Sequence, residues 1–203
     1  MKKRHTHTII RLIKGEFKRI NTILLISSPA KAWEEIDLDK DEQNVAVTFV
    51  YPMIGLCGLV VFIGTIINMG FSAQCYQTAM MACAGLFIAL FGGFFIASSA
   101  VNYFGQRFLR RDKAELPLCQ TLVGYSMVVI FLLDIALGLL PDFFILKLLL
   151  QFYTIFIVWE GASRIMKVPE KKMLAYTLFV SAVVLLSPAL ISIIFKFLSN
   201  LLR

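Results

Sequence analysis

Long apolar runs separated by short polar connectors set the plan of the chain. The runs fall at about 49–67, 79–101, 119–140, 144–162 and 173–194. Each is close to the ~20 residues that a helix rising 1.5 Å per residue needs to cross roughly 30 Å of hydrocarbon. The last two form a hairpin around the basic connector SRIMKVPEKK. The pattern predicts an all-α, polytopic integral membrane protein with five transmembrane helices. In the fourth run Lys147 and Glu160 sit near the two ends, where both can reach water, and Glu160 can pair with Arg164 one turn later.

A different periodicity precedes the first run. Ile9, Ile13, Phe17, Ile20 and Leu24 recur at helical spacing on one stripe, with Arg11, Lys14, Lys18 and Arg19 mostly off it. Such a basic amphipathic helix lies among anionic lipid headgroups with its apolar side toward the acyl chains, or packs on the cytoplasmic ends of the protein's own helices. There is no continuous apolar core or small-residue cleavage site near the N-terminus, so this segment is expected to be retained. Ser27, Ser28 and Pro29 then cap a second short helix with Glu34 and Glu35 in its first half, and Trp33 is expected at the membrane interface. The acidic segment 37–42 reads as a solvated lead into the first crossing. The chain thus divides into a cytoplasmic amphipathic tail, 1–48, and a five-helix transmembrane domain, 49–203.

Composition agrees: 59% hydrophobic residues and a mean hydropathy of +0.79 exceed what a soluble core of this size needs, so the excess faces lipid. The net charge of +7 could suggest nucleic acid, but its distribution points to topology. Lys and Arg number nine before the first run, then none, four and four in the first, second and fourth connectors, one, Lys147, where the fourth run begins, and two after the last. With the N-terminus in the cytoplasm, 17 of the 20 lie inside and three outside, which predicts an N-in/C-out arrangement. No nucleic-acid partner is expected.

Two features inside the crossings carry candidate roles. Gly85, Ala89, Gly93 and Ala97 repeat every four residues, a small-residue ridge against which another helix of the bundle, or a second copy of the chain, can pack closely. Gly55 and Gly58 could act similarly in the first run. Asp134 is the acidic residue set deep in a crossing, among Leu132, Leu133, Ile135 and Ala136, so its ionised form needs a partner. It is either a proton or cation site, with Tyr125 and Ser126 as further polar candidates, or a carboxylate satisfied by water or Lys147 near the outer end at Pro141.

Catalytic motifs are lacking. Gly124-Tyr125-Ser126 is not a nucleophile elbow, since Val128 stands where the second glycine belongs. His5 and His7 both lie in the tail, as a disordered segment or a minor metal site, so no crossing can supply histidine acid/base chemistry. No phosphate loop is present. Cys57, Cys75, Cys83 and Cys119 lack metal or disulfide spacing, and Asn-x-Ser/Thr is absent. No cofactor, metal or enzymatic activity is expected.

Pro29 and Trp33 before the first span, Tyr51-Pro52 at its start, Gly124-Tyr125-Ser126 in the third, Trp159-Glu160-Gly161 closing the fourth and Val168-Pro169 after it together resemble the Yip1 domain family, in particular its bacterial members. The resemblance runs from about Ser28 onward. It implies a multi-pass membrane protein without catalysis, here in the bacterial cytoplasmic (inner) membrane. Eukaryotic members associate with small GTPases and take part in vesicle traffic and membrane shaping. This sequence lacks their acidic Tyr-Gly-Pro stretch and carries Val128 and Val129 where a proline follows Tyr-Ser, so the GTPase partnership is not carried over. The favoured function is a scaffold that organises the bilayer or holds membrane-protein partners, including further copies of itself. The rival is a small transporter or channel built around Asp134, toward which a kink at Pro188 is a weak pointer.

Overall fold

The computed structural model describes residues 24–38, 44–109, 116–140, 142 and 144–201. Among them every regular element is helical. The amphipathic stripe of 9–24 lies outside the described residues except for Leu24, and so does most of the acidic lead 37–42.

Helix α1, Pro29–Leu38, opens on a proline whose missing N–H is one that a first turn would leave unbonded anyway. The first crossing starts as a π-helical turn, Ala46–Val50, and continues as α2, Tyr51–Met69. Pro52 accounts for the wide turn: its ring would press on the carbonyl one α-turn back, at Thr48. The Tyr51 N–H instead reaches Ala46 O, five residues earlier. Gly70, with φ of 77°, closes α2 and lets the chain reverse into α3, Ala73–Leu109.

The third crossing is α4, Leu116–Ser126, and α5, Val128–Leu139, joined through Met127. Backbone bonds carry across the joint, Met127 N to Val123 O and Phe131 N to Met127 O, both 3.0 Å, so it remains one rod of 24 residues. Its most apolar window is 61% buried, against 28–33% for the first, second and last crossings, so it is the central helix of the bundle.

The segment expected as the fourth crossing is not a single rod. In place of one rod over 144–162 there are two helices, α6 (Phe144–Gln151) and α7 (Tyr153–Arg164). Between them Phe152 N bonds Leu149 O and Ile155 N bonds Phe152 O, three-residue closures that tighten the turn. The two halves serve different surfaces: α6 packs on α5, whereas α7 packs on α1 and on the last helix, α8 (Glu170–Leu201). Among the described residues four helical segments are therefore long and apolar enough to span a bilayer singly: 46–69, Ala73–Gly105, 116–139 and α8.

Helix α8 shows how the bundle sorts its residues. Its buried face carries Met173, Tyr176, Thr177, Val180, Ser181, Val184, Ser187 and Pro188, while Leu174, Leu178, Leu186, Leu190 and Ile193 face outward. The larger aliphatic side chains go to lipid, and smaller or hydroxylated ones go inside. Pro188 does not interrupt the helix.

Backbones meet most closely where α2 crosses α5. A methyl group added to Gly64 would overlap the carbonyl of Gly138, and one on Gly138 would lie 3.0 Å from Val60 Cγ1. Because the obstacle at Gly64 is backbone, Gly64→Val must push the two helices apart. It should cost about 1–3 kcal/mol and lower the thermal midpoint of the purified protein in detergent, followed by size-exclusion of the heated sample. Gly55→Val, at a position facing open space, should leave that midpoint unchanged.

Candidate functional site

Asp134 lies about two turns from the end of α5, and Lys147 lies one turn into α6. The hairpin between them brings Lys147 Nζ to 2.5 Å from Asp134 Oδ1. The carboxylate is 7% exposed. It lines a cleft of about 300 Å³ with Thr65 and Asn68 of α2 and with Gly138. Thr65 spends its hydroxyl hydrogen on Val61 O at 2.8 Å, and Asn68 Nδ2 donates to Gly64 O at 2.8 Å. What remains near Asp134 is one cation and several neutral acceptors. In hydrocarbon such a pair satisfies both charges and holds α5 against α6, and a travelling proton or cation would have to displace Lys147.

Tyr125 and Ser126 are not part of this cleft. They lie nine and eight residues before Asp134, about 12–14 Å along the helix axis. Tyr125 belongs to an aromatic knot, edge-on to Trp33 at 5.9 Å and tilted against Phe49 at 4.9 Å. Ser126 is fully buried, and its Oγ has no hydrogen-bond partner among the described residues. The candidate polar set thus splits into an Asp134 cleft and an aromatic knot.

The knot holds a second site that the sequence did not reveal. Trp33 is fully buried within the protein, and its indole Nε1 donates to Ile157 O at 2.9 Å. Gly161 makes the socket, since a methyl group there would lie 2.7 Å from Trp33 Cζ2. Around it Arg164 pairs with Glu34 and, at 3.2 Å, with Glu160, while the Tyr153 hydroxyl donates to Ile26 O at 2.6 Å. The i,i+4 spacing made Glu160–Arg164 legible; the Glu34 arm joins segments 130 residues apart and carried no local signal.

The small-residue ridge faces α8. A methyl group on Gly93 would meet Pro188 Cγ at 2.5 Å, one on Gly85 would meet the Phe195 ring at 2.7 Å, and Ala89 and Ala97 are buried. Pro188 thus sits in the notch at Gly93, and the described chain supplies its own partner for the ridge. Of the two glycines expected to act similarly in α2, Gly58 opposes the Phe87 ring and Gly55 opposes nothing within 4 Å. No group of three or more His, Cys, Asp or Glu is placed to hold a metal among the described residues, and His5 and His7 lie outside them.

A family model for the Yip1 domain matches residues 23–191, from the turn before α1 into the second half of α8. The chain belongs to the Yip1 domain family. With its long apolar helices, this makes it a multi-pass integral membrane protein. No curated protein and no solved structure matches it. The Yip1 match takes in Trp33, Tyr125, Asp134, Lys147 and Arg164, and leaves the first 22 residues and the last turns of α8 outside.

The Asp134–Lys147 pair makes an asymmetric prediction. Asp134→Leu alone strands a lysine in an apolar setting and should destabilise by about 3–5 kcal/mol, whereas Asp134→Leu with Lys147→Leu should recover most of that loss. Thermal midpoints of the three variants in detergent test it, with a coupling near zero as the contrary result.

Proposed function

We propose that this Yip1 domain chain is a non-enzymatic scaffold of the bacterial cytoplasmic membrane, with its basic N-terminal segment as the contact for anionic lipid headgroups and membrane-protein partners. The observation that carries this reading is the docking of α1. A pre-membrane helix on a flexible tether would leave Trp33 free; here Trp33 is fully buried, bonded to Ile157 O and ringed by the Arg164–Glu34 pair. The segment leading into α1 is therefore mounted on a rigid base, which suits a protein that presents a surface.

Five crossings, N-in and C-out, complete the proposal. Lys147 meets Asp134 near one end of the third crossing, and Gly161 abuts Leu122 near the other. The paired residues run in opposite directions along the two segments over roughly 20 Å, which supports α6 and α7 as a single, bent fourth crossing. The charge count supports the orientation, with 17 of the 20 Lys and Arg on the N-terminal side. A proton or cation path through Asp134 is the second reading, favoured by the cleft of about 300 Å³ beside it.

Removal of residues 1–22 should leave insertion and thermal midpoint unchanged and weaken recovery on vesicles containing phosphatidylglycerol, read by flotation of reconstituted and detergent-exchanged protein. Unchanged recovery would reduce the segment to a tether. Proteoliposomes with intact protein should show no proton or cation flux above empty vesicles; flux abolished by Asp134→Asn would install the second reading instead. Reporter fusions at the two termini should report opposite compartments.

A further inference from the structure

A second, larger cleft of about 490 Å³ opens between α3 and α8 at the end where α3 begins and α8 finishes. Its lining is graded. Thr78 lies within about two turns of the start of α3, and Ser199 and Asn200 lie in the last turn of α8. Met81, Leu86 and Phe195 lie deeper and are apolar, with Ser192 beside them. Lys196 stands at the boundary between the two zones. It is the one charged residue of α8 beyond Lys172, and no carboxylate pairs with it among the described residues. The Phe195 ring fills the notch at Gly85, and the cleft opens beside that contact toward the two helix ends.

That gradient, polar at the helix termini, cationic one turn in and mainly apolar below, is the profile of a phospholipid seen from the side. A cation without a carboxylate at this depth is also complementary to phosphate. We propose that this cleft binds one anionic phospholipid, with its phosphate against Lys196 and the hydroxyl and amide groups of Ser199 and Asn200, and an acyl chain laid over Met81 and Leu86. Lys196, Ser199 and Asn200 lie beyond the Yip1 match, so the site is a feature of this chain in addition to its family fold. It stands independently of the scaffold reading.

Native mass spectrometry of the full chain, released from detergent with equal phosphatidylglycerol and phosphatidylcholine, tests the site. One phosphatidylglycerol should be retained in preference to phosphatidylcholine, and Lys196→Gln should lower that preference about fivefold. Lys196→Arg should keep it, and Lys31→Gln, on α1, should not change it. Because the cations of residues 1–22 remain in every variant, the drop on Lys196→Gln reads this cleft alone. Equal retention of both lipids by the unaltered chain, or a preference that survives Lys196→Gln, overturns the proposal. Displacement of the lipid by millimolar glycerol 3-phosphate would make the occupant a free phosphate, and cross-linking from position 196 to a second chain would make it a protein neighbour; either result also overturns it.

Discussion

Hydrocarbon gives apolar helices no reason to leave lipid for one another, because a leucine against an acyl chain is as well solvated as a leucine against a leucine. Association must come from closer packing than lipid allows and from polar groups with nowhere else to bond. Both devices are visible at named positions. Gly93 admits Pro188, and Gly64 and Gly138 bring two backbones into contact. These contacts join α3 to α8 and α2 to α5, and α4 lies between as the most buried part of the third crossing.

The polar groups then fix what small residues alone leave free, the relative slide of the helices. Lys147 with Asp134 sets the register of α6 on α5, and Trp33 with Ile157 O sets α7 under α1. The tight turn at Phe152 interrupts regular bonding over one turn. Both halves still lie along the third crossing, Lys147 at Asp134 and Gly161 at Leu122, and the interruption falls between the polar contacts that fix them.

Hydropathy made the crossings legible because lipid requires length and greasiness and tolerates little else. It could not show which face of each crossing is inside, since both faces of α8 read as apolar. The inward face is marked by Thr177, Ser181, Ser187 and Pro188, and the outward one by Leu178, Leu190 and Ile193. On α8 small or hydroxylated positions are therefore the better guide to the inside, while elsewhere the core still takes large side chains such as Phe94, Leu122 and Phe131. Asp134 was legible because a lone carboxylate in an apolar run demands a partner, and Lys147 was the nearest cation. Trp33 was not, because an amphipathic ring suits an interface and a socket equally, and the socket depends on Gly161, 128 positions away. The turn at Phe152 was also invisible, since hydropathy does not distinguish a bond three residues back from one four back.

The two ends of the bundle differ in kind. At one end Arg164 bridges Glu34 and Glu160, Tyr153 reaches Ile26 O, and the aromatic knot of Trp33, Tyr125 and Phe49 fills the space beneath. At the other, two clefts open on either side of Val61, one holding Asp134 and one holding Lys196. Side-chain bonds here run mostly within a single helix, as Asn68 to Gly64 and Thr65 to Val61 do, and so do little to tie neighbours together. The Trp33 end is thus tied across elements by side chains, whereas the cleft end is held by backbone packing, Gly64 against Gly138, and by the ion pair beside it, Asp134 with Lys147. Close packing between the two clefts lets both open without loosening the helices that carry them.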